Sequence, residues 1–107
     1  MNAPITSRST ATHATADIHP GASPRELRCA GAWLLCSAAQ TEARIEAFLE
    51  TLMLPAEGEL LIDAQSVTAL DTSGAWLLHR IRHALETGGR TVRFIGLRPE
   101  FEALLRL

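Results

Sequence analysis

The chain has 107 residues, a formal net charge of −2 and a hydrophobic fraction of 47%. These values fit one small domain able to build its own core. They exclude the basic field that nucleic-acid binding needs, because the 10 cationic residues are all arginine and are dispersed along the chain. Cys29 and Cys36 are too few for a disulfide framework and match no CxxC or zinc-ribbon spacing, so both are read as buried thiols in a reducing compartment. No apolar run approaches the ~18 residues of a membrane span. No basic start followed by an apolar stretch marks a secretory signal. A cytoplasmic location is expected.

Residues 1–15 are rich in Ser, Thr and Ala without an apolar period, which predicts a disordered tail. The domain is expected over 16–107. A brief strand starts near Ala16-Asp17-Ile18. The turn residues Pro20 to Pro24 then close a hairpin onto a strand at Glu26 to Ala30, where Leu27 and Cys29 alternate with charged neighbours. Gly31 to Leu35 lead into a helix. Ser37 with Gln40 three residues on forms a capping-box pattern. Ile45, Phe48, Leu49, Leu52 and Met53 make its apolar stripe, with Arg44, Glu46 and Glu50 off it. Pro55 and Gly58 end that helix.

Leu60 to Asp63 is an unbroken apolar strand, expected at the centre of the sheet. A polar loop is expected from Ala64 to Leu70, followed by the tetrad Asp71-Thr72-Ser73-Gly74 at the start of a second helix. Leu77, Leu78, Ile81 and Leu85 are that helix's buried stripe, and Gly88-Gly89 stops it. Thr91 to Ile95 is the last strand. Arg98-Pro99 opens a final helix whose inner face is Phe101, Leu104 and Leu105. The order is ββαβαβα, which predicts an α/β fold with a mixed, mostly parallel sheet and right-handed crossovers.

Recognisable catalytic patterns are scarce. There is no GxxxxGK[ST] or GxGxxG loop for a nucleotide. His79 and His83 stand four apart, but flanking arginines would repel a metal dication, and no Glu follows His79 as in a zinc-protease helix. A Ser73, His79 or His83, and Asp71 triad fails on geometry, since a helix cannot fold its own later turns back onto its start, and no GxSxG elbow is present. No enzyme activity, metal or cofactor is expected.

The tetrad has two readings on chemistry alone. Asp71 or Thr72 caps the helix while Gly74 permits close packing, or the hydroxyls form part of a contact surface. Ser73, Trp76, Arg80 and His83 follow at spacings of 3, 4 and 3 and so form one stripe beside the core stripe. Trp and Arg are the residue types that dominate protein interfaces. Trp76 reads equally as a half-buried packing residue at the helix shoulder.

The strand ELLIDAQSVTALDTSGAWLL, the Gly88-Gly89 stop, the strand TVRFIGL and the closing helix resemble a STAS domain, the fold of bacterial anti-sigma factor antagonists. The resemblance covers about residues 16–107. It implies that Ser73, before the glycine, is the residue a partner anti-sigma kinase phosphorylates, with Asp71 as the tetrad aspartate. DTSGAWLL, with Gly31-Ala32-Trp33 upstream and GLRPEFEALLRL at the end, is also similar to the STAS subunits or domains of Mla-type phospholipid-trafficking ABC transporters. That branch implies a non-catalytic regulatory module that docks on the transporter ATPase through the Ser73 helix and the 64–70 loop. Asp71, Thr72, Ser73, Gly74, Trp76, Arg80 and His83 are then the partner-binding candidates. The end at Leu107 in mid-helix suits a domain cut from a permease fusion, which would tether it to the inner membrane. An anti-sigma antagonist is the alternative, and a small serine hydrolase the remote one.

Overall fold

A computed structural model describes residues 15–87 and 89–106. The expected tail, apart from Thr15, lies outside the described residues, as does Gly88 of the helix stop. Four strands form one sheet in the order β1-β2-β3-β4. They are β1 (Asp17–Pro20), β2 (Glu26–Trp33), β3 (Gly58–Leu70) and β4 (Arg90–Ile95). Three helices alternate with the later strands: α1 (Ala38–Thr51), α2 (Thr72–Leu85) and α3 (Pro99–Leu105). A 3-10 turn, Leu35–Ser37, precedes α1.

The expected ββαβαβα order holds. The β1–β2 hairpin is antiparallel, whereas β2–β3 and β3–β4 are parallel. The hairpin turn closes through Gly21 N–H to the Glu26 carbonyl at 2.8 Å and Glu26 N–H to the Ser23 carbonyl at 3.1 Å. The central position of the Leu60 strand follows from its sequence, since Leu60 and Ile62 are both fully buried and a strand flanked on both edges needs little polar surface.

One sheet face packs on the helices through Leu27, Cys29, Leu60, Ile62, Ala64 and Val67, against Leu77, Leu78, Ile81 and Leu85 of α2. The stripe read for α2 is therefore its buried face. The other sheet face carries cross-strand ion pairs, Arg28 to Asp63 at 3.6 Å and Arg93 to Glu59 at 3.2 Å. Phe101 of α3 is buried, with Leu104 and Leu105 packed against the core.

Five local expectations need correction. The loop expected at Ala64 to Leu70 is the second half of β3, and the lead-in Gly31 to Trp33 is the end of β2. The two segments pair with each other, Ala30 opposite Ser66, Gly31 opposite Val67 and Trp33 opposite Leu70. Register shifts fall between Arg28 and Ala30 and between Gly31 and Ala32. Each shift puts an extra residue into β3, so its buried positions run 60, 62, 64, 67 and 70 rather than every second residue. That broken period is why the segment reads as a loop. Gly31, with φ of 85°, supplies the backbone conformation at the second shift.

The capping box does not form. Ser37 occupies the N-cap of α1 without a side-chain cap bond. The 3-10 turn takes both Ser37 groups that a box would use: the Ser37 N–H bonds to the Leu34 carbonyl, and the Ser37 hydroxyl donates to the same carbonyl at 3.5 Å instead of accepting from the helix. Met53 is 92% exposed. The helix ends at Thr51 and Leu52 turns extended (ψ 130°), so the last stripe position never reaches the core face.

Finally, Cys29 is buried as expected but Cys36 is exposed, because it falls in the 3-10 turn beyond the sheet. Burial, reinforced by Asp17 and Asp63, raises the Cys29 thiol from 9.0 to about 12. Its folded value lies above the unfolded one, so the stability it contributes is intact below pH 9.0 and is lost as pH rises towards 12. In native protein near neutral pH, an aromatic disulfide reagent is expected to titrate one thiol quickly. The second should react only in denaturant, and Cys36→Ser should remove the fast phase alone.

Candidate functional site

The junction between β3 and α2 is built on the Asp71 carboxylate. Asp71 is the N-cap of α2 in an extended conformation, and its Oδ1 accepts from Gly74 N–H at 2.9 Å. Its Oδ2 accepts from Leu35 N–H at 2.8 Å. One side chain thus caps α2 and also anchors the start of the 3-10 turn, 36 residues earlier in sequence. The Asp71 N–H reaches the Trp33 carbonyl at 3.3 Å, continuing the β2–β3 pairing to the helix start.

Gly74 is buried where α2 crosses the end of β2. A Cβ there would overlap the Trp33 carbonyl and come within 2.8 Å of Leu70 Cδ1. The glycine is needed for close approach of helix to strand, and its φ is unremarkable. Trp33 is itself fully buried and its Nε1–H donates to the Ala30 carbonyl at 2.9 Å. The capping and packing roles considered for Asp71 and Gly74 are both realised.

With α2 and the 3-10 turn held side by side, an open groove of about 560 Å³ lies between them. Leu35, Ala38, Ala39 and Glu42 form one wall, and Thr72, Ser73, Trp76 and Leu77 the other. Leu35 is 70% exposed and Trp76 57% exposed, so Trp76 is not a half-buried shoulder residue. Two large apolar side chains are thus left in solvent on either side of an apolar groove, which makes it the candidate contact surface. Thr72 is exposed and Ser73 half-buried, at the first two positions of α2.

Of the candidates read from sequence, Thr72, Ser73 and Trp76 share this groove. Arg80 and His83 do not line it. They join Trp76, His79 and Ala84 around a smaller hollow of about 380 Å³ further along α2. Arg80 stacks over the Trp76 ring, 5.1 Å from its centroid, and forms ion pairs with Glu42 and, at 3.7 Å, Glu46 of α1. Asp71 and Gly74 lie beneath, turned to backbone rather than to the groove. His79 Nε2 is 2.7 Å from the Leu105 carbonyl, which ties α2 to α3. Among the described residues, no three His, Cys, Asp or Glu side chains are grouped to hold a metal.

The Leu35, Ala38, Ala39 and Glu42 wall went unread in the sequence. Leu35 itself gave little signal, because it continues the alternate-residue period of Leu27, Cys29 and Trp33 and so reads as part of the buried strand face.

A family model described as "Mlab, STAS domain" matches residues 22–107. The chain belongs to the STAS-domain family. The curated proteins contain no significant match. The α/β architecture with its mixed sheet is that of the STAS fold, and STAS domains in general act by protein–protein interaction. No helix among the described residues is long and apolar enough to cross a membrane.

Asp71→Ala removes acceptors from two backbone donors and should cost roughly 2–3 kcal/mol, against about half that for Asp71→Asn, which keeps one acceptor oxygen. Gly74→Ala should be at least as damaging, on the order of 3 kcal/mol, because the clash is with backbone. Urea denaturation of the three variants checks both values and their order.

Proposed function

We propose that this STAS domain is a non-catalytic cytoplasmic regulatory module of a lipid-transport ABC system. It docks on the transporter ATPase with the groove between the 3-10 turn and the start of α2. The unit spans 16–107, and tethering to the membrane comes through a permease partner or a fused permease domain. The observation carrying this reading is the apolar groove flanked by exposed Leu35 and Trp76, with the tetrad hydroxyls of Thr72 and Ser73 on its α2 wall. Asp71 and Gly74 serve by fixing the wall, while Trp76, Arg80 and His83 extend the contact stripe along α2.

An anti-sigma antagonist is the second reading, and one feature favours it. The Ser73 hydroxyl sits at the second residue of α2, where a phosphate would lie near the helix dipole's positive end. Glu42 in the facing wall of the same groove works against it, since an added charge of about −1.5 to −2 would meet a carboxylate. A serine hydrolase gains nothing from the geometry. His79 is engaged with the Leu105 carbonyl, and His83 stands ~15 Å along the helix from Ser73 by axial rise.

Affinity capture with the wild-type chain from its source cells, followed by identification of the bound ATPase, tests the first reading. Leu35→Asp should abolish capture and Ser73→Glu should weaken it by about tenfold or more, with melting temperatures within a few degrees of wild type. Recovery of a protein kinase instead, with ATP-dependent gain of one phosphate on Ser73, would establish the antagonist reading.

A further inference from the structure

The groove continues into a charged edge. Ala39 and Glu42 of the groove wall are followed along α1 by Glu46 and Glu50, at spacings of 3, 4 and 4. This row runs beside the Ser73, Trp76, Arg80 and His83 row of α2, joined to it by the Glu42–Arg80 and Glu46–Arg80 ion pairs. Two carboxylates thus face one guanidinium and Glu50 stands one turn further along α1, leaving a formal excess of two negative charges on the edge. Arg44, the cation on the same helix, points away and pairs with Asp17 at 2.8 Å. Glu50 has no ion-pair partner among the described residues.

An apolar seat followed along one line by an acidic edge is complementary to an amphipathic helix with an apolar anchor and basic residues further along. Glu46 and Glu50 lie 7 and 11 residues past Ala39, roughly 10–16 Å along the helix axis, which is two to three turns of a partner helix.

We propose that the occupant of this groove is a basic amphipathic helix of the partner protein. Its apolar side chain seats among Leu35, Ala38, Ala39 and Trp76, and its Arg or Lys, two to three turns away, pairs with Glu46 and Glu50. This inference rests on the docking reading above and adds the chemistry of the partner. The apolar seat supplies affinity, and the acidic edge supplies register and selection against acidic helices.

Two helical peptides test it, each carrying a central pair of leucines one turn apart. One is flanked two turns away on both sides by arginines, the other by glutamates at the same positions. Quenching of the exposed Trp76 reports binding, with the buried Trp33 as internal reference. The Arg-flanked peptide should bind at least about tenfold tighter at low salt, with the advantage shrinking as salt rises. Glu46→Arg with Glu50→Arg should cancel or invert that preference. Leu35→Asp should abolish binding of both peptides. All three positions are at the surface, so these variants should stay folded, which circular dichroism checks. Failure of the Arg-flanked peptide to bind, or equal affinity for both peptides, overturns the acidic-edge selection. Peptide binding that survives Leu35→Asp overturns the groove itself.

Discussion

The Asp71 carboxylate is the constraint on which the groove end of this domain depends. It is one side chain, half-buried at the end of a 13-residue strand. Its two oxygens go to two helix starts that are far apart in sequence, Gly74 N–H in α2 and Leu35 N–H in the 3-10 turn before α1. Charge-assisted bonds to backbone donors are among the stronger local interactions in a folded chain. Because both are made by one planar group, the starts of the two groove walls are tied to a single side chain. The tetrad's aspartate therefore places Leu35 and the α2 first turn without itself lining the groove.

That arrangement needs β2 and β3 to run on together past the point where β4 stops pairing. β4 accompanies β3 only from Gly58 to Asp63, whereas β2 follows it to Leu70. The two extra residues accommodated in β3 keep Val67 and Leu70 turned to the core while the strand pair extends. The extension delivers the Trp33 carbonyl to the place where Gly74 crosses it and Asp71 N–H bonds to it. Strand pairing, helix crossing and helix cap meet at one backbone carbonyl, which leaves no room for a side chain at position 74.

The groove is what these contacts leave uncovered. Leu35 and Trp76 stay in solvent although residues of their type usually contribute to the core. Beyond them, Arg80 draws the two helices together through Glu42 and Glu46 while stacking on Trp76. These ion pairs are partly exposed and contribute little to stability. Their effect is rather to fix where charge lies along the seam, with acid on the α1 side. A STAS domain that works by contact needs a surface of this kind, with apolar area for affinity and charge for register.

The order ββαβαβα, the central Leu60 strand, the buried stripe of α2 and the proline start of α3 were all readable from local chemistry. Each rests on a periodicity or terminus signal contained within about fifteen residues. The role of the tetrad as a helix start was readable for the same reason. The second half of β3 was not, because two register shifts break the period that identifies a strand, and the shifts exist only relative to β2. Nor was the failure of Ser37 to cap α1, since its N–H and hydroxyl are both turned to the Leu34 carbonyl by a 3-10 turn that no residue pattern announced. The second acceptor role of Asp71, the need for Gly74 under a carbonyl, and the Leu35–Glu42 wall of the groove all join residues more than 30 positions apart. Sequence determined which residues could cap, bury or touch. Only the tertiary structure decided which of them meet, because that depends on how far two strands stay paired before their helices begin.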